Sequence, residues 1–576
     1  MAKAVYICAR DPRRIAVTEG DLQRLGARLA PDNIKPSCKT VVREDGIAFS
    51  VFTPSEAVMV RGASVALGVL EAGNGEWWRP GSDVPDGAYA LFRGGRDMVE
   101  LVSDFVASRT IWYFHNREIF IAATSQRAII ACLRSYEPDP KVYPWVLSNG
   151  YFGPGLSWDR RIRKMRGNSR VVLDRRTWEL TERSKPAVFE PAQLSDEEHE
   201  RRMENALQTT FDNLHLDWGR WVLSLSGGYD SRCSLGMLAD RTRIKCITWS
   251  VTDRLEDTGG DAYIAGCLAR KYGLEHEYFI TDVSNEPVDL LLDRVLMANE
   301  GRIDHVNASV DGYERYRKMN ESGILGLIRS DVGFSSRIVI LKSLKADLLF
   351  NMGLRMLSDY SNADALGSAD FEPQDVPDNF RQLPGESLLT WRDRLHHEFR
   401  IPCVLAALAE PRLNYIEQAN PLLSRRVTEA VRALPDTLRG GKILYKKIID
   451  RIIPDVPIAD RTSIAPLPSL LSRLEQHEVF RDVLMSSRAK SLLPAPLLSC
   501  TGGFLTRGPR RLAPKSSIPA ASILKILSKP FKQTLRSLVY MVHKPSLSPE
   551  QSIFRSFVIV RMHQILNEDA QCLKRP

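Results

Sequence analysis

The sequence predicts an α/β protein in which a β-rich α+β part comes first and a parallel-sheet domain follows. Two patterns carry this. Up to about residue 185, short alternating runs are separated by turn residues, as in antiparallel sheets. From residue 195 onward, apolar strands alternate with helical spacing, the rhythm of a right-handed parallel α/β sheet. A third observation fixes the centre. In Trp221–Met237, WVLSLSGGYDSRCSLGM, an apolar run ends in paired glycines and continues at helical spacing.

The first part begins with Val5–Cys8, a strand-like run. Asp86-Gly87 introduces the strand Ala88–Phe92, and His115-Asn116-Arg117 joins Thr110–Phe114 to Glu118–Ala123 as a hairpin. Gln126–Leu133 and Val142–Leu147 read as helices, and Arg170–Leu173 with Trp178–Leu180 as a closing hairpin. Ser184–Leu194, with Pro186 and Pro191, reads as a linker. Ser195 and Glu198 then form a capping box for a helix through Met203, Leu207, Phe211 and Leu214. The Trp221 strand follows, then the strand Ile244–Val251, a helix within Asp257–Tyr278, and the strand Glu277–Ile280. Gly323–Leu327 is a further strand running into Arg329-Ser330-Asp331. Asp359–Gln382 is polar and proline-bearing, a surface excursion. Adjacent His396 and His397 point apart on a regular helix, so a solvated face suits them better than a metal. Arg425–Leu434 is helical, and after about residue 465 the chain is basic and proline-rich with helices at Ser522–Val542 and Ile553–Leu566. The expected divisions are 1–185, 195–470 and 471–576.

Composition narrows the classes. At 576 residues two or more domains are expected, and 44% hydrophobic with 26% charged residues describes a globular chain. No run reaches the ~18 apolar residues of a membrane span, nor does the start carry a secretory signal, so the expectation is cytoplasmic with no membrane partner. Nine scattered cysteines without a CxxC pair argue against a disulfide framework or zinc. The net charge of +9 is thinly spread, and the basic clusters Arg160–Arg166 and Arg507–Lys515 lack interleaved aromatics, so nucleic acid is not an expected partner.

The chemistry centres on Ser226-Gly227-Gly228-Tyr229-Asp230-Ser231. Paired glycines admit an anion close to the backbone, the helix start points N–H groups at it, and serine hydroxyls add donors. A pyrophosphate fits there. Asp230 would repel it unless a cation intervened, which favours a Mg²⁺–nucleotide complex over a bare anion. Ligands in such sheets lie beyond the carboxyl ends of the strands, so Asp331 is expected near Asp230 as a second metal carboxylate. Arg329 is a candidate phosphate contact.

These residues resemble the SGGxDS pyrophosphate loop of the PP-loop ATP pyrophosphatases, and the wider chain resembles the asparagine synthetase family. The resemblance implies an N-terminal glutaminase-like (Ntn-type) domain and a PP-loop synthetase domain that adenylates a carboxylate and lets an amine displace AMP. It further implies adenine contacts near Thr248, Ser250 and Val251, residues that plain sheet core explains equally well. Glu417-Gln418-Ala419-Asn420-Pro421 is similar to the family's Glu-x-x-x-Pro segment, and Lys442–Lys446 to its Lys-x-x-Leu-Arg helix. Glu417 and Lys446 are thereby candidate catalytic residues. The departures are equally telling. Ala2 stands where glutamine-hydrolysing members expose a cysteine, Val332 where the family has Glu, and Ser463 where it has a lysine that Lys446 or Lys447 would replace. Without a glutaminase, the amine is expected on the substrate, as in the lasso-peptide cyclase and β-lactam synthetase branches. The implied partners are a carboxylate substrate, a precursor peptide and its processing protease. Ammonia-dependent asparagine synthesis and a non-catalytic nucleotide-binding descendant are the alternatives.

Overall fold

The computed structural model describes residues 3–14, 17–53, 55–71, 75–306, 309–334, 349, 352–463, 478–507 and 544–574. The predicted helix Ser522–Val542 and most of the basic cluster after Arg507 lie outside them.

The fold is mixed α/β, with antiparallel sheets first and a parallel sheet after. Strands β1 (Lys3–Ala9), β2 (Cys38–Glu44), β3 (Ile47–Phe52), β4 (Val58–Arg61), β5 (Ser64–Leu70), β6 (Gly87–Gly94), β7 (Met98–Ser103), β8 (Trp112–His115), β9 (Ile119–Ala123), β10 (Arg163–Lys164), β11 (Ser169–Asp174) and β12 (Leu180–Ser184) build two six-stranded sheets. Their orders are β10-β8-β9-β1-β3-β2 and β12-β11-β7-β6-β5-β4. Alternation sends Tyr6, Phe49, Leu67, Phe92, Leu101 and Phe120 into the core shared by the facing sheets. Tyr6 stacks between Phe49 and Phe92, with ring centroids 5.7 and 5.8 Å away. The other face of β1, with Val5 and Ile7, packs on helices α1 (Glu19–Leu29), α2 (Gln126–Leu133) and α3 (Val142–Asn149). One sequence expectation shifts here. Trp178 takes a left-handed turn conformation (φ +66°) and donates its indole N–H to Asn116 O, so the closing hairpin pairs β11 with Leu180–Ser184 rather than with Trp178–Leu180.

After the capped helix α4 (Asp196–Asp212) come β13 (Trp221–Ser224), α5 (Tyr229–Met237), β14 (Lys245–Ser250), α6 (Asp261–Lys271), β15 (His276–Ile280), α7 (Val288–Asn299), α8 (Glu314–Glu321), β16 (Gly326–Ile328) and β17 (Glu417–Ala419). The five strands are parallel in the order β15-β14-β13-β16-β17. Both faces are apolar because both are covered. Trp221, Leu223, Cys246 and Ile328 pack on the α4, α5 and α6 side with the helix Ile443–Ile452, while Val222, Ile247 and Leu327 face α7 and α8.

Two long-range features join the parts. The helix Pro549–Gln571 buries Phe557, Ile559 and Leu566 in the same core as α2 and α3, and Asp569 pairs with Arg127 at 2.7 Å. At the edge of the parallel sheet, Glu417 is fully buried and accepts from Arg109 of the antiparallel part at 2.7 Å.

Candidate functional site

The order β15-β14-β13-β16-β17 reverses direction between β13 and β16, so the loops leaving these two strands part and leave a crevice at their carboxyl ends. Asp230 follows the first strand and Asp331 the second. Ser234, one helical turn beyond Asp230, shares a 2.8 Å hydroxyl contact with Ser330, which ties the middle of α5 to the loop carrying Asp331.

The glycine loop is held from within. Ser231 Oγ accepts from Ser226 N at 3.0 Å, and Ser226 Oγ accepts from Gly228 N at 3.2 Å. Gly227 N donates to Asp261 Oδ1 at 2.8 Å, and burial raises the pKa of that carboxyl. The two glycines have different neighbours. A Cβ on Gly227 would come within 2.5 Å of Ala459 Cβ and 2.9 Å of Ile264 Cβ, whereas one on Gly228 would meet nothing nearer than Ser226 Oγ at 3.5 Å. The open side of the loop is thus over Gly228 and the first turn of α5, whose N–H groups have no partner inside the helix.

Asp230 receives Lys442 Nζ at 2.7 and 2.8 Å. Lys442 is 6% exposed and sits at φ +62° directly after Gly441 at φ +61°, a left-handed turn that swings it onto the glycine loop. Lys446, the expected catalytic lysine, is half-buried with its ammonium 5.6 Å from the Tyr229 ring, and Lys447 is exposed and pairs with Glu200. Asp331 accepts from Asn420 Nδ2 at 3.1 Å and from Arg329 Nη2 at 3.3 Å. Burial would raise its pKa, but Arg329 and Arg412 hold it below the ordinary carboxylate value. Arg329 also reaches Ser224 Oγ at 3.2 Å, at the end of β13, which places it in the crevice.

Other expected residues lie elsewhere. Glu417 is sealed against Arg109, which holds its carboxyl down to about 2 although burial pushes the other way; in that position it cannot touch a substrate. Thr248 Oγ1 donates to Leu225 O at 2.8 Å and meets His276 Nε2, so it binds neighbouring strands together. Ser250 Oγ donates to Val251 O at 2.9 Å, and Val251 N donates to Ser463 O at 3.0 Å. The Val251 amide is thus taken by the chain's own Ser463. Ser463 has a further structural role there, its Oγ accepting from Ala262 N at 2.7 Å at the start of α6.

His396 and His397 correct a further expectation, since both are buried. Around them the chain forms a π-helix, His396–Leu405, whose wider turn brings the two rings onto one loop. His396 Nε2 donates to Val332 O at 3.0 Å and His397 Nε2 to Gly333 O, while Arg432 Nε donates to His397 Nδ1 at 3.1 Å. Burial keeps both neutral, His396 at about 4 and His397 lower still. They brace the loop behind Asp331.

Among the described residues no group of three or more His, Cys, Asp and Glu side chains could hold a metal by itself. Asp230 and Asp331, the two carboxylates expected to hold magnesium, are paired with Lys442 and with Arg329 and Asn420 respectively. Sequence reasoning missed Lys442, Asp261 and Asn420 as partners in the crevice. The glycine pair before Lys442 was the available signal, since it permits the turn that aims the lysine.

No protein-family profile matches the chain, and no curated protein matches it. A solved structure described as the allosteric regulatory enzyme of purine biosynthesis aligns over 61% of this chain and 78% of its own, at 8% identity and a TM-score of 0.20. A likeness that slight bears on neither fold nor function. No helix among the described residues is long and apolar enough to cross a membrane.

Proposed function

We propose that the protein is an ATP-dependent amide ligase that adenylates a carboxylate and couples it to an amine, releasing AMP and pyrophosphate. The observation that carries this reading is the glycine loop at the switch point, open over Gly228, with Asp230 and Asp331 leaving the two strands that flank the crevice. The first-turn amides of α5 would hold phosphate oxygens, and a magnesium ion shared by the two carboxylates would offset charge on the leaving pyrophosphate. Lys442 is the cation best placed to stabilise charge developing at the α-phosphate, the role the related family gives to a lysine at the position of Ser463. For this it would exchange Asp230 for phosphate. Arg329 would contact a phosphate from the other side of the crevice. A peptide carboxylate, with macrolactam formation in the manner of lasso-peptide cyclases, is the substrate class the resemblance favours. A precursor peptide and its protease would then be the partners.

One observation favours a second reading, a non-catalytic nucleotide-binding protein. Lys442 neutralises Asp230, Asp261 takes the Gly227 amide, and Ser463 takes the Val251 amide, so the loop is satisfied without ligand. Exchange of labelled pyrophosphate into ATP, with amino acids and short peptides as carboxylates, separates the two. The ligase reading expects exchange that falls at least 100-fold in Lys442→Gln and Asp230→Asn. MgATP binding in calorimetry without exchange would leave the binding protein. Absence of MgATP binding in the wild type sinks both.

A further inference from the structure

A cavity of about 950 Å³ lies apart from the glycine loop, where the 184–191 connector meets the antiparallel part and the helices near His397 and Arg432. That volume is within the range of small-molecule sites. Its wall is largely apolar, with Phe105, Pro186, Phe189, Phe380 and Leu383 among the lining residues.

The charged groups in the wall are unevenly matched. Each carboxylate has partners: Glu386 takes Arg394 at 2.7 Å, and Glu398 takes the Ala187 amide at 2.8 Å and Arg394 at 3.6 Å. Asp436 takes Ser387 Oγ at 2.5 Å, Thr390 Oγ1 at 3.1 Å, and Arg439. Lys164 donates to Pro402 O at 3.1 Å and to Cys403 Sγ at 2.8 Å, and burial lowers its pKa, which disfavours the ammonium. Arg432 is different. Its Nε is engaged by His397 and its guanidinium lies 4.6 Å from the Phe105 ring centroid; Glu398 and Glu429 act on its charge without forming an ion pair, and its two Nη groups have no hydrogen-bond partner among the described residues. Burial lowers its pKa only to about 10, so it remains a cation. Arg166 and Lys185, exposed at the rim, also lack a carboxylate partner among the described residues. An apolar chamber with one under-partnered guanidinium inside and two cations at its mouth is complementary to an apolar body with a negative end.

We propose that this cavity is a binding site for a small apolar carboxylate, whose charged end pairs with the Nη groups of Arg432 while its body packs on Phe105, Phe189 and Phe380. The lining of the cavity includes none of Ser226–Ser231, Asp331 or Lys442, so the site is distinct from the glycine loop. Bidentate pairing with a guanidinium that is partly withdrawn from water gives the site a preference for anions over equally apolar neutral molecules.

The test uses the full chain and the neutral probe N-phenyl-1-naphthylamine, whose fluorescence rises in apolar sites. Octanoate and octanol are then compared as displacers. The proposal expects saturable probe binding and displacement by octanoate at a concentration at least tenfold below that of octanol, although octanol is the more apolar. Arg432→Gln is expected to erase that preference while leaving probe affinity within twofold, and Arg432→Lys to retain part of it. Displacement by octanol at equal or lower concentration in the wild type overturns the proposal without recourse to any variant. So does absence of saturable probe binding, or a preference that survives in Arg432→Gln.

Discussion

At the scale of single residues, burial decides which charged groups can act. Glu417 and Asp331 are both acidic residues at strand ends, but only Asp331 opens on the crevice. Arg109→Met removes the cation beside a fully buried carboxylate, and breaking such a pair from one side costs about 3–5 kcal/mol. The expected outcome is a fall in denaturant midpoint, much of which Arg109→Met combined with Glu417→Leu recovers. The paired glycines make a sharper contrast. Gly227→Ala forces a methyl against Ala459 and Ile264 and should destabilise by about 1–3 kcal/mol, as overpacking does. Gly228 has φ −89° and free space, so Gly228→Ala should leave the melting temperature unchanged and weaken only MgATP binding. Equal stability losses in the two variants would refute the assignment of the open face. Lys442 shows how much of this was legible. Its residue type and the glycines before it were readable, but its partner, 212 positions away, was not.

At the scale of elements, the hydrophobic periods specified the strands and helices while leaving their special geometry hidden. The capping box at Ser195, the helix α2 and the apolar parallel strands follow from local pattern, because each is dictated by which face must be buried. The π-helix His396–Leu405 does not follow from any such pattern. A regular helix would separate adjacent histidines, yet the wider turn presents both to the carbonyls of Val332 and Gly333. Replacing both by alanine leaves two buried carbonyls without donors, a loss of about 1–3 kcal/mol each. Hydrogen exchange should quicken around 331–334 in that variant, and unchanged exchange there would refute the bracing role.

At the scale of the molecule, the parts share one core, and the helix Pro549–Gln571 completes it. Removing that helix would bare the apolar faces of α2 and α3, so the shortened chain is expected to elute as an aggregate in size-exclusion chromatography; a monodisperse, cooperatively melting product would refute this. Acid should act through the same contact. Burial holds His563 at about 4, below the roughly 6.5 of an unfolded histidine. As pH falls from about 6.5 toward 4, the unfolded chain takes up this proton and the folded one does not, so stability is lost on acidification and is whole above that window. The ring is partly exposed, which limits the effect to about 1 kcal/mol, and His563→Gln should lose less melting temperature than wild type between pH 7.5 and 5. By itself the sequence determined the glycine loop, the 110–123 hairpin, the capped helix after Ser195 and the succession of antiparallel then parallel sheet, because burial periodicity and turn chemistry are written in consecutive residues. Only the tertiary structure decided that Lys442 meets Asp230, that Ser463 closes over Val251, that Glu417 is sealed by Arg109 and that Arg432 faces an apolar chamber. Those pairings join positions far apart in the chain, and they exist only once the strand order has brought their loops to one end of the sheet.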